Sequence, residues 1–219
     1  MRVSALEGHR IWAASYETTP NPLLALEARI LPEKIGRVAL KQVVDVACGN
    51  GRWAASIAES GANVLGVDFC AEMLERAAPN LRGRLVLADA GWLPLSPEIA
   101  DLTICSFALG YFPDLDRAFS EIARITKYEG RFVLSDMHPE AVAAGWTRSF
   151  RAGGLKYEME HFGYSLEEIR SAARKNFQLE SEVDGYFGDP EKTIFEMAGK
   201  DFAETAKVPA VWIASWRRT

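Results

Sequence analysis
The sequence predicts an α/β protein in which seven strands form a mostly parallel sheet, with helices on both faces and an antiparallel pair at the C-terminal edge. Three observations lead there. Over residues 42–136, apolar strand-like runs alternate with helical patterns, the signature of parallel strands joined by crossover helices. Val43-Val44-Asp45-Val46-Ala47-Cys48-Gly49-Asn50-Gly51 reads as a buried strand running into a glycine-bearing strand-to-helix turn. After Asp136 the rhythm changes, and two later strand-like runs, 177–187 and 210–217, flank a helical insertion with no crossover pattern.

Taken in order, the first 32 residues form a separate N-terminal element carrying Trp12, Tyr16 and the turn-like Pro20-Asn21-Pro22. A strand over 42–47 leads through the glycine turn into a helix over 52–60, stopped at Gly61. A second strand over 63–68 precedes a helix over 71–78 that Pro79 ends. The third strand, 84–88, runs into Asp89-Ala90-Gly91-Trp92 and then the loop Leu93-Pro94-Leu95-Ser96-Pro97. The fourth, 100–107, is nearly all apolar, as a central strand should be. A helix over 114–127 places Leu115, Ala118, Phe119, Ile122 and Ile125 on one face, and 130–136 is the fifth strand. Residues 137–164 are rich in aromatics, His and Gly without a clear period. A helix over 165–176 opens with the capping box Ser165-Leu166-Glu167-Glu168.

Composition narrows the function classes. The chain has 219 residues, enough for one well-buried domain with an elaborated edge. A net charge of −5 excludes a broad nucleic-acid footprint, since phosphate binding needs basic surface. No apolar run approaches the roughly 18 residues of a membrane span. Residues 1–10 lack the apolar core of a secretion signal. Cys48, Cys70 and Cys105 have neither zinc-type spacing nor a disulfide framework; they read as packed, reduced thiols in a cytoplasmic protein, and no metal is expected.

The chemistry concentrates at the strand ends. Gly49 and Gly51 let a ligand approach backbone where a Cβ would collide. Asp68 ends the second strand 19 residues after Gly49, about the spacing at which an acid grips a ribose hydroxyl in nucleotide-binding βαβ units. These features point to an adenosine-containing cofactor. A nicotinamide dinucleotide is the rival, because Gly49-Asn50-Gly51-Arg52-Trp53-Ala54 matches a G-x-G-x-x-A turn. Asp45 separates the two: its carboxylate repels a pyrophosphate over this turn and attracts a cationic amino-acid head group.

Asp45-x-Ala47-Cys48-Gly49-Asn50-Gly51, Asp68, Asp89-Ala90 and a strand ending Cys105-Ser106-Phe107 together resemble the class I S-adenosylmethionine-dependent methyltransferases, in the small-molecule branch that includes the ubiquinone and menaquinone methyltransferases. The resemblance covers roughly residues 9–136 by motif. It implies a single Rossmann-like domain, with 1–32 as an N-terminal lid, 33–136 as the cofactor-binding core and 137–219 as an acceptor-side segment with the terminal strand pair. It also implies S-adenosyl-L-methionine as cofactor. The backbone of Ala47, Cys48, Gly49, Asn50 and Gly51 then lines the methionine part, Asp45 meets its ammonium, and Asp68 takes both ribose hydroxyls. Phe69 and Met73 pack on the adenine, Asp89 and the Ala90 amide bond its edge, and Ser106 and Phe107 lie near the sulfonium. His9-Arg10-Ile11-Trp12-Ala13-Ala14-Ser15-Tyr16 resembles the family's lid helix, except that His9 and Arg10 stand where Tyr-Asp is usual; Tyr16 remains to close over the cofactor. Ala47 replaces a glycine often found in this loop.

On the acceptor side, methyl transfer from a sulfonium needs mainly proximity and orientation, and in some acceptors a base. His138, just past the fifth strand, and less so His161 are the candidate bases, because a histidine pKa suits the task. Trp12, Tyr111, Trp146 and His138 are candidates to wall an apolar pocket, with Arg148 and Arg151 to meet a carboxylate or phenolate. The expected partner is thus a small, partly aromatic or apolar molecule. Packing alone also accounts for many of these residues: Asp68 as a helix cap, Asp89 as a turn acid, and the aromatics as ordinary core. A regulatory protein that binds the cofactor without catalysis fits the same motifs. An RNA methyltransferase is disfavoured, since Ser106-Phe107-Ala108-Leu109 replaces the Asn-Pro-Pro-Tyr type of motif. Monomer and homodimer both remain open.

Overall fold
The computed structural model describes residues 1–81, 83–197 and 202–219. Strand β1 (Arg2–Val3) leads into helix α1 (Ala5–Trp12), and α2 (Pro22–Ile35) follows. The alternating region comprises β2 (Gln42–Val46), α3 (Arg52–Glu59), β3 (Asn63–Asp68), α4 (Ala71–Ala77), β4 (Leu85–Leu87), β5 (Ala100–Ser106), α5 (Leu115–Ile125) and β6 (Thr126–Met137). Beyond it come α6 (Pro139–Ala143), β7 (Ser149–Ala152), β8 (Leu155–Met159), α7 (Leu166–Ala173), β9 (Phe177–Gly185), α8 (Asp189–Met197), α9 (Phe202–Thr205) and β10 (Val211–Arg218).

Among the described residues, seven strands form the main sheet in the order β4-β3-β2-β5-β6-β10-β9. The first five pair in parallel. β10 lies antiparallel to both β6 and β9, so the expected edge pair is present with the last strand inside it. The chain runs outward from β2 to β4 and then crosses back to β5, so the strand order reverses between β2 and β5. In open α/β sheets that switch point, at the carboxyl ends of the strands, is where ligands collect.

Each face is sealed by helices whose apolar stripes the sequence encodes. Leu115, Ala118, Phe119, Ile122 and Ile125 of α5 are all buried, as the spacing predicts. They join Phe132, Trp212 and Trp216 on one face, with Phe119 and Phe132 edge to face at 5.5 Å. On the other face, Leu26 and Leu31 of α2 and Trp53 and Ile57 of α3 cover Val43, Leu102 and Ile104. Each such fully buried side chain contributes about 1.5–3 kcal/mol by area. The capping box at Ser165 is formed with Glu168 in both directions.

The segment 137–164, aperiodic in sequence, holds a β-hairpin. β7 and β8 pair antiparallel, and β1 adds to β8 in parallel, making a small second sheet over the switch point. Its pairing partner lies about 150 residues away in the chain, with Arg2 opposite Glu158; short-range periodicity carries no trace of such a contact.

Candidate functional site
Two cavities open above the switch point. The first lies over the glycine turn and is walled by the carboxyl ends of β2, β3 and β5. Asp45, Ala47, Cys48, Gly49 and Asn50 line it from β2 and the turn. Asp68, Phe69 and Met73 line it from β3 and α4, and Asp89 and Ala90 from the loop after β4. Ser106 and Phe107 complete the wall from β5, and Tyr16 from the segment after α1.

Gly51 is the one cofactor candidate that does not line this cavity. It caps α3 at φ +78°, and a Cβ there would lie 2.9 Å from Ala77 Cβ and from Leu81 Cδ1. Close packing of α3 on α4, together with the left-handed backbone, therefore demands a glycine here. At Gly49, a Cβ would meet Met73 Cε at 3.1 Å on the cavity wall.

Asp45 is 1% exposed, and its Oδ1 has no hydrogen-bond partner among the described residues. Burial pushes its pKa up to about 8; Arg52 pulls it down, while Asp68 and Glu27 push it further up. An orphaned buried carboxyl oxygen is costly unless something cationic or donating meets it. Asp68 is differently placed. Its Oδ2 accepts from Gly49 N and its Oδ1 from Cys70 N, both at 2.8 Å, so it braces the glycine turn and the entry to α4 while spare lone pairs stay available. Burial is the largest influence on it and raises its pKa. Asp89 bonds Gly91 N at 2.7 Å, fixing the loop as an Asx turn.

Ala47 and Phe107 take left-handed backbone, at φ 59° and 53°, at the ends of β2 and β5. For residues with a Cβ this conformation costs on the order of 1–2 kcal/mol. Phe107 is held there because its N–H donates to Ser135 O at 2.8 Å and its carbonyl accepts from Arg148 Nη1 at 3.0 Å. The sharp turn aims the ring between the two cavities, both of which it lines.

Behind the wall sits a hub that no sequence motif marks. Glu27 of α2, 0% exposed, accepts from Arg52, from Trp53 Nε1 at 3.0 Å, from Ser106 Oγ at 2.6 Å and from Ser135 Oγ. It ties α2 to α3 and to the ends of β5 and β6. A lone acid in the apolar run Pro22-Leu23-Leu24-Ala25-Leu26-Glu27 was the available signal. Arg52 also lines the first cavity, alongside Asp45.

The second cavity has two apolar walls among polar and cationic residues that include Asn21, Thr147, Arg148 and Lys156. Trp12, Pro22, Leu23 and Leu24 form one wall, and Met137, Trp146, Phe187 and Phe195 another. Trp146 stacks on Phe187 with ring centres 6.0 Å apart. His9, Tyr16, Phe107 and Tyr111 line both cavities and form the junction between them. Burial raises the pKa of both Tyr16 and Tyr111, so their phenols stay protonated at neutral pH.

Two acceptor-side expectations are corrected. His138 lines neither cavity. β6 runs on to Met137, and His138 N donates to Ala210 O at 3.0 Å. The ring Nδ1 accepts from Glu140 N as the cap of α6, while Nε2 lies 3.2 Å from Asp184 Oδ1 without hydrogen-bond alignment. It is a structural cap. Arg148 does line the second cavity, but its charge is matched by a buried ion pair with Asp136 and its guanidinium stacks 4.9 Å from the Tyr111 ring. That leaves little charge for a substrate anion. Arg151 is exposed on β7, and Trp12, Tyr111 and Trp146 lie on the walls of the second cavity.

Among known proteins, a family model described as "Methyltransferase domain" matches residues 44–134. A demethylmenaquinone methyltransferase of Lactobacillus johnsonii is 31% identical over 173 residues, 69% of this chain and 69% of that protein. A second, from Thermobifida fusca, is 36% identical over 100 residues, covering 43% of this chain and 42% of the relative, so that match spans less than half of the relative's length. The crystal structure of an S-adenosylmethionine-dependent methyltransferase from Mesorhizobium loti shares the fold, with a TM-score of 0.71 at 24% identity, over 90% of this chain and 100% of that one.

Proposed function
Since this chain belongs to the class I S-adenosylmethionine-dependent methyltransferases, we propose that it binds S-adenosyl-L-methionine over the glycine turn and transfers its methyl group to a small, apolar, partly aromatic acceptor in the second cavity. The observation that carries this is an orphaned buried carboxyl, Asp45, on the wall of a cavity that joins a second one walled in part by Trp12, Trp146 and Phe187. A buried carboxyl without a partner suits a cationic head group: Asp45, once ionised, takes the ammonium, while Arg52 is already ion-paired with Glu27. A pyrophosphate fits this wall badly, because Asp45 repels it. The braced Asp68 has acceptor capacity left for the ribose hydroxyls, and Phe69 and Met73 offer the apolar surface for the adenine. When bound, the cofactor supplies a methyl carbon already activated on a sulfonium, so the protein contributes orientation and exclusion of water. Tyr16, Phe107 and Tyr111 set the aperture through which an acceptor reaches that carbon.

Titration calorimetry with S-adenosylmethionine, its demethylated product and NADH tests the donor. We expect binding of the first two and none of the third; NADH binding without the others sinks the proposal. Methyl transfer from labelled donor to a panel of phenols, quinols and carboxylic acids tests the acceptor. Turnover of the apolar phenols and quinols is expected, whereas tight donor binding with persistent inactivity favours a regulatory binding protein.

A further inference from the structure
His9 occupies the junction with one ring nitrogen committed and the other free. Its Nδ1 lies 2.8 Å from Ala5 O, a carbonyl that only accepts, so Nδ1 carries the hydrogen and Nε2 bears the lone pair in the neutral ring. Nε2 has no hydrogen-bond partner among the described residues, and the ring lines both cavities. It is wedged edge-on between Tyr111 at 5.0 Å and Phe69 at 6.0 Å, which fixes its direction. Of the four junction residues, Phe107 cannot titrate and Tyr16 and Tyr111 hold their protons, leaving His9 as the proton acceptor there.

Resting on the methyltransferase reading above, we propose that His9 Nε2 is the general base of the reaction, and that the acceptor is a neutral phenol or enol which gives up its O–H proton during methyl transfer. An acceptor that enters as the neutral phenol or enol must lose its proton at the junction, where His9 is the group able to take it. In the step, an acceptor oxygen lone pair forms the new C–O bond and the C–S pair departs to sulfur, leaving a neutral thioether. The O–H pair stays on oxygen and the proton goes to Nε2. His9 becomes imidazolium and returns the proton to solvent after product release.

The electrostatic surroundings suit the role. Burial is the largest influence on His9 and lowers its pKa, keeping the ring neutral and receptive at pH 7. Asp68 at the end of β3 works the other way and favours the imidazolium, while Arg148 on the hairpin side opposes it. Tyr111 faces the ring as a neutral phenol. On α4, Glu72 is taken up by Arg10 at 3.2 Å.

The test compares wild type with His9→Gln, using 2-naphthol and benzenethiol as acceptors. The thiol ionises unaided near neutral pH and needs no base. For 2-naphthol, His9→Gln should lower kcat about 100-fold or more and flatten the fall in kcat on the acid side, with S-adenosylmethionine affinity within about twofold. For benzenethiol the loss should be under about fivefold, which a merely structural role for His9 would not spare. A second readout needs no turnover: nitrogen NMR of the protein bound to S-adenosylhomocysteine, with the His9 signals assigned by their loss in the variant. It should show the Nδ1–H tautomer, neutral at pH 7. An unchanged 2-naphthol rate or pH profile, equal losses for both acceptors, or an Nε2–H or charged ring at neutral pH overturns the proposal. Wild type that binds the nucleosides but methylates only the thiol overturns the phenol and enol class. Failure to bind either nucleoside instead overturns the donor reading beneath it.

Discussion
The two cavities are built in opposite ways. The one over the glycine turn takes most of its wall from strand ends and the turns that follow them, within residues 45–118, with His9 and Tyr16 added from the N-terminal segment. The other draws on segments from His9 to Thr205, brought together by α1, the hairpin and α8. A donor common to a whole family suits a site fixed by sheet topology; an acceptor particular to one chain suits a site assembled from covering segments. Changes in the first should alter donor binding whatever the acceptor, and changes in the second should leave the donor untouched.

Asp45→Asn offers the largest effect. Removing the charge that meets the ammonium should weaken S-adenosylmethionine binding by about 2–5 kcal/mol, roughly 30- to 5,000-fold by calorimetry. In wild type the carboxyl, with its pKa pushed up to about 8, must lose a proton to bind, so affinity should rise by up to about tenfold per pH unit from pH 6 towards 8. The variant should show no such slope. Stability moves the other way. Between the roughly 3.9 of an unfolded aspartate and about 8, the folded protein holds a proton that the unfolded chain has lost, so stability falls as pH rises through that window. The ligand-free variant should therefore melt higher than wild type at pH 8, by roughly 2–4 °C for each kcal/mol recovered. Unaltered affinity would remove Asp45 from the donor site.

Trp146→Ala tests the other cavity. Losing the ring stacked on Phe187 should raise the acceptor KM by about 10- to 100-fold, worth about 1–3 kcal/mol, with donor affinity within twofold. Altered donor binding at an unchanged acceptor KM would show that the cavities are not separable in this way. Gly51→Ala gives the smallest effect and sharpens the boundary of the donor site. The clash with Ala77 and Leu81 should cost about 1–3 kcal/mol in denaturant unfolding while leaving donor affinity of the folded protein intact. A large loss of affinity at unchanged stability would place Gly51 back among the ligand contacts.

The alternation over 42–136 made the parallel sheet legible because strand and helix periods are local properties of the chain. The same locality made Asp45, Gly49 and Asp68 legible, since each sits at a fixed offset from a strand end. The hairpin at 149–159 was not, because its partner strand begins at Arg2. His138 shows the complementary case: its place after a strand is a local property, but its ring neighbours include Asp184, 46 residues further along the chain. Arg148 likewise could not be known to be neutralised until Asp136 and the Phe107 carbonyl were placed beside it.

The sequence by itself therefore determined the sheet, its glycine turn and the acids at its strand ends, because residues close in the chain must lie close in space. Only the tertiary structure decided that Gly51 serves helix packing, that Glu27 ties four segments together, and that His9 stands at the junction with a free nitrogen. Those outcomes rest on side-chain directions and long-range neighbours, which packing sets and local pattern does not encode.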